Sequence, residues 1–112
     1  MKKHKIDIKP LSINEAFQGK RFKTPKYKSY ENKMMEILPD LDDDFTGELY
    51  VSISYGFSSK LSDIDNPCKN FLDCLVKKYG FDDRQIFELC QKKKIVKKGF
   101  EYIEFKIGKL NE

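Results

Sequence analysis

The sequence is poor in the residues from which many catalytic and metal sites are built. Its 112 residues include one histidine, three cysteines and no tryptophan. A single histidine, His4, excludes metal centres that need several imidazoles. The cysteines are odd in number and form no CxxC pair, so we expect reduced, partly buried thiols rather than a disulfide framework or a closed zinc site.

Long hydrophobic runs are also missing. No apolar stretch approaches the roughly 18 residues of a membrane span. The basic start, MKKHKIDIK, lacks the apolar segment that follows the charges of a secretory signal. We therefore expect a protein of the cytoplasm.

What the chain does contain is charge. Charged residues make up 36% and hydrophobic residues 39% of the sequence, without low-complexity tracts or internal repeats. This composition predicts a single soluble domain over residues 1–112.

The net charge of +4 hides a segregation along the chain. Residues 1–38 hold 10 Lys and Arg against 4 Asp and Glu, residues 39–88 hold 5 against 11, and residues 89–112 hold 7 against 3. Basic surface attracts a polyanion, whereas clustered carboxylates repel it unless a divalent cation intervenes. The pattern fits a metal-dependent nuclease, although charge runs are more often simply solvated faces.

Hydrophobic periodicity predicts the element order β-α-β-α-β-β. Four strands are expected in KIDIK, ELYVSISYGF, QIFELCQKKKIV and FEYIEFKI, the last two joined by a turn at residues 97–99. One helix is expected from the Thr24-Pro25 cap to about Leu38, and a second from an Asn66-Pro67 cap to Tyr79. Residues 11–24 show no period and are interpreted as a loop. The predicted fold class is α/β or α+β, a small mixed four-stranded sheet packed by two helices.

Two aspartates stand directly before the second predicted helix. In extended chain the side chains of Asp63 and Asp65 share one face and lie close enough to hold one cation. Turn formation and capping are the structural alternative. Lys69 favours the functional interpretation, because a cation in the first helical turn opposes the helix dipole. An i,i+4 ion pair with Asp73 is the structural alternative for that lysine.

The stretch DIDNPCKNFLDCLVKKYGFDDRQI resembles the RusA-type Holliday junction resolvases, a family of crossover junction endodeoxyribonucleases. The shared pattern is D-x-D-N, a lysine four residues after the second aspartate, a helix containing an aspartate, and a D-D-x-Q-[IV] segment. KPLSINEAFQGKRFKTPKY and the element order are also similar. Some members carry a run of arginines before the motif. This chain has FSSKLS there, in which Lys60 is the one basic residue.

The resemblance implies catalytic and metal-binding carboxylates at Asp63, Asp65 and Asp83, with Lys69 as the catalytic basic residue and Asn66 and Asp82 as supporting neighbours. It implies Mg²⁺, or Mn²⁺, as cofactor and a homodimer that resolves four-way DNA junctions by paired symmetric nicks in DNA recombination and repair. It also implies a bacterial or phage-infected host cytoplasm, and makes a phage origin plausible.

A distance argument bears on the assembly. A helix over residues 67–79 spans about 20 Å, and the few residues after it recover only about 10–14 Å. Asp83 therefore does not easily reach Asp65 of its own chain, and we expect the partner subunit's Asp83 to complete each site. A kinked or shortened helix is the alternative.

Basic residues interleaved with aromatics are the candidates for DNA contact. In this run they are Lys20, Arg21, Lys23, Lys26 and Lys28. Two further candidates lie outside the run: Lys60 before the acidic pair and Lys93 in a second basic patch. Phe22 has two interpretations, a wedge at an unstacked branch point or, as the favoured one, an anchor of its loop to the core. Two other functions stay open at this point: a non-catalytic protein that binds branched DNA, and a general metal-dependent nuclease without junction preference.

Overall fold

The structure, a computed structural model, describes residues 2–18 and 22–110. Its strands are β1 (His4–Ile6), β2 (Phe17–Gln18), β3 (Phe22–Lys23), β4 (Leu49–Phe57), β5 (Ile86–Ile95) and β6 (Tyr102–Lys109). Its α-helices are α1 (Ile13–Ala16), α2 (Pro25–Ile37) and α3 (Cys68–Tyr79), and a 3₁₀-helix covers Asp83–Gln85. None of the helices in these ranges has the length and apolar character needed to cross a membrane.

The main sheet has four strands in the order β1-β6-β4-β5. Strand β4 is central, pairing in parallel with β5 and antiparallel with β6, while β1 pairs antiparallel with β6. The link from β4 through α3 to β5 is thus a β-α-β crossover, which is how parallel neighbours are normally joined. The predicted mixed α+β fold is confirmed.

The core lies where alternate β4 side chains meet the two long helices. Leu49, Val51 and Ile53 are fully buried, as the alternation in the sequence predicts. Helix α3 buries Phe71, whose ring lies 5.5 Å from that of Phe105 on β6. These contacts fix α3, and therefore both of its ends, against the sheet.

The prediction of a loop over residues 11–24 is wrong for those of its residues that the structure describes. Residues 13–16 form α1, and β2 pairs with β3 as a short hairpin. The Ser12 hydroxyl accepts a hydrogen bond from the Glu15 backbone N–H, a local cap that a search for long-range periodicity overlooks. The described residues accordingly form three α-helices where two were predicted.

The prediction that Asn66 caps the second long helix is also wrong. Pro67, and not Asn66, occupies the N-cap position of α3, with helical backbone angles and no side-chain cap. By contrast, Thr24 caps α2 as predicted, and its hydroxyl oxygen accepts a hydrogen bond from the Tyr27 N–H at 3.2 Å. A polar residue before proline therefore does not define the cap by itself.

Candidate functional site

The candidate acidic pair lies on the connection between β4 and α3. Asp63 and Asp65 are both exposed, on turns closed by two long backbone hydrogen bonds, from the Asn66 N–H to the Asp63 carbonyl and from the Cys68 N–H to the Asp65 carbonyl, each 3.4 Å. The Asn66 side chain, predicted as a supporting residue, donates to an Asp63 carboxylate oxygen at 3.4 Å. The two carboxylates are therefore placed just before α3 and open to solvent.

Hydrogen bonds to a distant segment of the chain hold this connection in place. The Ile13 N–H donates to the Asn66 carbonyl at 3.0 Å, and the buried Asn70 amide donates to the Leu11 carbonyl at 2.8 Å. Both bonds join the acidic connection and the first turns of α3 to the segment that includes α1. Because the partners are more than 50 positions apart in the sequence, no local pattern predicts them.

Lys93 supports the connection from the side of β5. Its ammonium group donates to the Ser62 carbonyl at 2.6 Å and to the Lys60 carbonyl at 3.2 Å. The sequence predicted Lys93 and Lys60 as DNA contacts. The structure places both lysines beside the acidic pair and gives Lys93 this additional link.

A cleft beside the acidic pair contains two carboxylates that the sequence analysis did not single out. Asp63 lines it together with Glu15 from α1 and Glu101 from the turn before β6. Hydrogen bonds from the backbone N–H of Glu101 itself and from the Ser58 hydroxyl keep the pKa of the Glu101 carboxyl below its ordinary value. These two acids come from distant parts of the chain, and their proximity to Asp63 arises only from tertiary folding.

Lys69 lies in the first turn of α3 and is exposed. Its ammonium group is 3.6 Å from the Asp73 carboxylate, which is the i,i+4 pair considered as the structural alternative. An exposed pair of this kind contributes only a few tenths of a kcal/mol. The pair therefore leaves Lys69 able to turn toward another anion at little cost.

The second aspartate pair lies beyond the other end of α3, after Gly80. Asp82 caps the 3₁₀-helix and pairs with Arg84 at 2.9 Å. The hydrogen bonds from the Arg84 side chain and backbone lower the pKa of Asp82 to about 2. Asp83 is the exposed first residue of the 3₁₀-helix. The Gln85 amide holds this turn in place by donating to the Phe45 and Gly47 carbonyls.

Within one chain the two aspartate pairs remain apart. Asp63 lines the cleft beside Glu15, whereas Asp82 and Asp83 line a different groove, next to the C-terminal end of α3. Twelve residues of helix, about 18 Å, separate the two ends. In the described ranges, no group of three or more acidic, cysteine or histidine side chains is close enough to hold a metal ion.

The predicted DNA contacts lie mainly around the start of α2. Lys23, Lys26 and Lys28 are exposed there, and Lys23 pairs with Glu31 at 3.6 Å. Lys20 and Arg21 lie outside the described residues. The side chain of Phe22 is 75% exposed, so the interpretation of this residue as a core anchor is wrong.

The architecture and the exposed carboxylates can be compared with known families. The family model described as endodeoxyribonuclease RusA matches residues 10–106, which include β4, α3, β5 and both aspartate pairs. The match defines the class of the protein as an endodeoxyribonuclease. The chain belongs to the RusA family, and membership implies Holliday junction resolvase activity and binding of branched DNA. A search of the curated proteins finds no match.

Proposed function

We propose that this protein is a Mg²⁺-dependent resolvase that cuts four-way DNA junctions by paired symmetric nicks, as a homodimer. The observation that carries the proposal is the family match, which covers both exposed aspartate pairs. Mn²⁺ is an alternative cofactor. The proposed role is in DNA recombination and repair.

Carboxylate oxygens are the ligands that Mg²⁺ prefers. Asp63 and Asp65 suit it, because both are exposed and neither forms a salt bridge within the described residues. These two residues and Asp83 would hold the ion, with Asn66 orienting Asp63 through its side-chain amide. When bound, Mg²⁺ polarises a phosphate and lowers the pKa of a coordinated water.

The basic residues act on the DNA. Lys69 releases Asp73 and stabilises negative charge that develops on the scissile phosphate. Lys23, Lys26 and Lys28 bind the phosphate backbone without reading sequence, and Lys60 and Lys93 contact it beside the acidic pair. The exposed Phe22 ring is suited to insert at an unstacked branch point.

The deciding experiment compares a labelled synthetic four-way junction with a linear duplex of the same sequence, each with and without Mg²⁺. We expect Mg²⁺-dependent cutting of the junction and little cutting of the duplex. Equal cutting of both substrates would support a general nuclease instead. Binding without cutting would support a non-catalytic junction-binding protein.

The Asp65→Asn variant tests the site in the same assay. Loss of one negative charge at the proposed metal site should lower the cleavage rate on the order of 100-fold or more. Junction binding should persist, because the phosphate contacts are made by other residues. Cleavage at the full rate would remove Asp65 from the site.

Mixed subunits test whether the site is shared. In a heterodimer of Asp63→Asn and Asp83→Asn chains, sharing leaves one site with all its wild-type carboxylates. If each site is built within one chain, both sites carry a defect. Recovered nicking in the mixture, relative to either variant alone, supports sharing, and continued inactivity argues against it.

A further inference from the structure

The segment that leads to Asp63 is weakly held by its own hydrogen bonds. The Leu61 N–H donates to the Ser59 hydroxyl at 3.2 Å, and the Ser62 N–H donates to the Ser59 carbonyl at 3.3 Å. Both bonds are local, and both lie at or beyond the long end of the usual range. Asp63 itself is exposed, so packing does little to fix its backbone. The position of this carboxylate therefore depends on a contact from outside the segment.

Lys93 supplies such a contact from strand β5. Its ammonium group donates to the Ser62 carbonyl at 2.6 Å and to the Lys60 carbonyl at 3.2 Å. Charged donors form shorter and stronger hydrogen bonds than neutral ones. Ser62 immediately precedes Asp63, so the shorter bond fixes the peptide group that leads into the aspartate. Within the described residues, only these two hydrogen bonds join residues 60–62 to another strand or helix.

The direction of the Lys93 side chain follows from the register of β5. Lys93 is aligned with Tyr55, which is fully buried in the core that α3 covers. Lys92 is aligned with Ser54 and lies on the opposite face of the sheet, as does Lys94. The alternation of the strand therefore directs the middle lysine of this run, and not its two neighbours, toward the acidic connection.

A second link from the same face supports the start of α3. The buried Tyr55 hydroxyl donates to the Gln91 side-chain oxygen at 2.8 Å. Burial raises the pKa of the Cys68 thiol, and a hydrogen bond with Tyr55 partly offsets that increase. Cys68 is the first residue of α3, and its N–H donates to the Asp65 carbonyl. Strand β5 therefore supports the acidic connection through Lys93 at its beginning and through Gln91 and Tyr55 at its end.

This support has a consequence for metal binding. Mg²⁺ demands near-ideal octahedral geometry, so its affinity depends on how closely the ligands are held to that geometry. Two exposed carboxylates on an untethered connection would have to be ordered when the ion binds, at a cost in conformational entropy. The bonds from Lys93 order the connection beforehand. They use two of the three N–H groups of the ammonium, and the third stays available for a phosphate.

We propose that Lys93 is a positioning residue, which holds the backbone next to Asp63 in the conformation that binds the metal ion. This role goes beyond the phosphate contact proposed above, because it operates in the absence of DNA. The inference rests on the proposed metal site and names a residue that determines the geometry of that site.

Metal binding without DNA tests this role. Mn²⁺ titrations followed by electron paramagnetic resonance measure the affinity of the protein for the ion. Lys93→Met retains most of the side-chain stem and removes the donor, and it should weaken Mn²⁺ binding on the order of 10-fold, as the loss of a group that orients metal ligands does. Loss of a nearby positive charge by itself would strengthen the binding of a cation, so weaker binding reports lost positioning. Unchanged or tighter binding would overturn the proposal.

Two further variants serve as controls for the titration. Lys92→Met removes the same charge from the opposite face of β5 and should bind Mn²⁺ as the wild type does. Lys93→Arg retains the charge and a donor for each of the two carbonyls, and it should recover most of the affinity. Equal weakening by Lys92→Met and Lys93→Met would assign the effect to net charge and overturn the positioning role.

Junction cleavage provides a second readout. Lys93→Met should raise the Mg²⁺ concentration that gives the half-maximal rate by about 10-fold. The rate at saturating Mg²⁺ and the junction affinity without metal should change by no more than a few-fold, and sedimentation should show the same assembly as for the wild type. Lower junction affinity with an unchanged Mg²⁺ midpoint would leave Lys93 as a phosphate contact only and overturn the proposal.

Hydrogen exchange of the metal-free protein separates this inference from the proposed activity. Peptides that cover residues 60–66 should exchange faster in Lys93→Met than in Lys92→Met, at similar melting temperatures. If Lys93→Met shows this faster exchange and weaker Mn²⁺ binding but the wild type cuts no junction, the positioning role stands and the proposed activity falls. If the wild type cuts junctions and Lys93→Met binds Mn²⁺ equally well, the activity stands and the positioning role falls.

Discussion

Helices α2 and α3 begin with similar residues, a small polar side chain followed by proline, yet their first turns are built differently. Thr24 caps α2, and its hydroxyl also donates to the Glu15 carbonyl at 2.6 Å. Helix α3 has no side-chain cap, and Asn66 directs its amide to Asp63 instead. Helix α2 thus starts in a way that favours stability, whereas α3 forgoes a cap next to the candidate site.

The comparison teaches that residues before a helix can serve either the helix or a neighbouring group. At α3, Lys69 in the first turn also opposes the helix dipole. The missing cap and the unfavourable charge both destabilise the start of α3, and such a local loss of stability is expected at a functional site. Four predictions test this difference, in order of decreasing expected effect.

Asp63→Asn should have the largest effect. Cleavage of the four-way junction should fall on the order of 100-fold or more, because a charged ligand of the proposed metal is lost. The melting temperature should stay close to that of the wild type, because Asp63 is exposed. The matched control is Asp42→Asn, an exposed acid in the loop before β4, which should retain activity. An active Asp63→Asn protein would remove this residue from the site.

Lys69→Ala should reduce cleavage on the order of 10-fold or more, through lost stabilisation of charge on the phosphate. Stability should change by less than about 0.5 kcal/mol, since relief from the helix dipole offsets the loss of the exposed pair with Asp73. Single-turnover rates and urea unfolding measure the two quantities. If Asp73→Asn lowers the rate as much as Lys69→Ala does, the lysine acts only through its ion pair.

Glu31→Gln tests the link between the middle of α2 and the end of α3. Burial would raise the pKa of Glu31, but the hydrogen bond from Lys77 and the charges of Lys23 and Lys77 lower it below the ordinary 4.5. A lowered pKa means that the ionised group stabilises the fold above pH 4.5 and loses this contribution as the pH falls through the folded-state pKa.

The expected loss of stability for Glu31→Gln is about 1–2 kcal/mol at pH 7. The difference from wild type should shrink as the pH falls below 4.5, as measured by urea unfolding across a pH series. Glu36→Gln, an exposed acid on the same helix, should show little difference at any pH. A difference that is independent of pH would show that the ion pairs are not its source.

The smallest effects compare the two helix starts directly. Thr24→Ala removes a cap and should cost about 1 kcal/mol of folding free energy, with little change in the cleavage rate. Asn66→Ala removes no cap and should cost less than about 0.5 kcal/mol. Thermal unfolding of the two variants measures both. Equal destabilisation would contradict the difference seen between the first turns.

Hydrophobic periodicity in the sequence predicted much of the fold. The alternation over residues 49–57 coincides with β4, and the apolar stripe after Pro67 coincides with α3, because each element buries one continuous face. The short α1 and the β2–β3 hairpin were missed, since four and two residues are too few to show a period. Their stability comes from contacts such as the bond between the Ile13 N–H and the Asn66 carbonyl.

The sequence predicted only some of the residues of the candidate site. The positions of Asp63, Asp65 and Asp83 were chosen by their resemblance to a family pattern, and their role in metal binding stays a prediction. Glu15 and Glu101 beside Asp63 had no signal in the sequence, because neither belongs to a motif. The exposure of Phe22 was misjudged, since an aromatic side chain in a connecting segment normally anchors that segment to the core.

The sequence by itself determined the alternation of strands and helices and the family, because burial of apolar faces and short motifs are written in neighbouring residues. The tertiary structure decided which edge of the sheet stays open and which residues surround Asp63. These properties depend on pairings between segments far apart in the chain, and local periodicity carries no information about such distances.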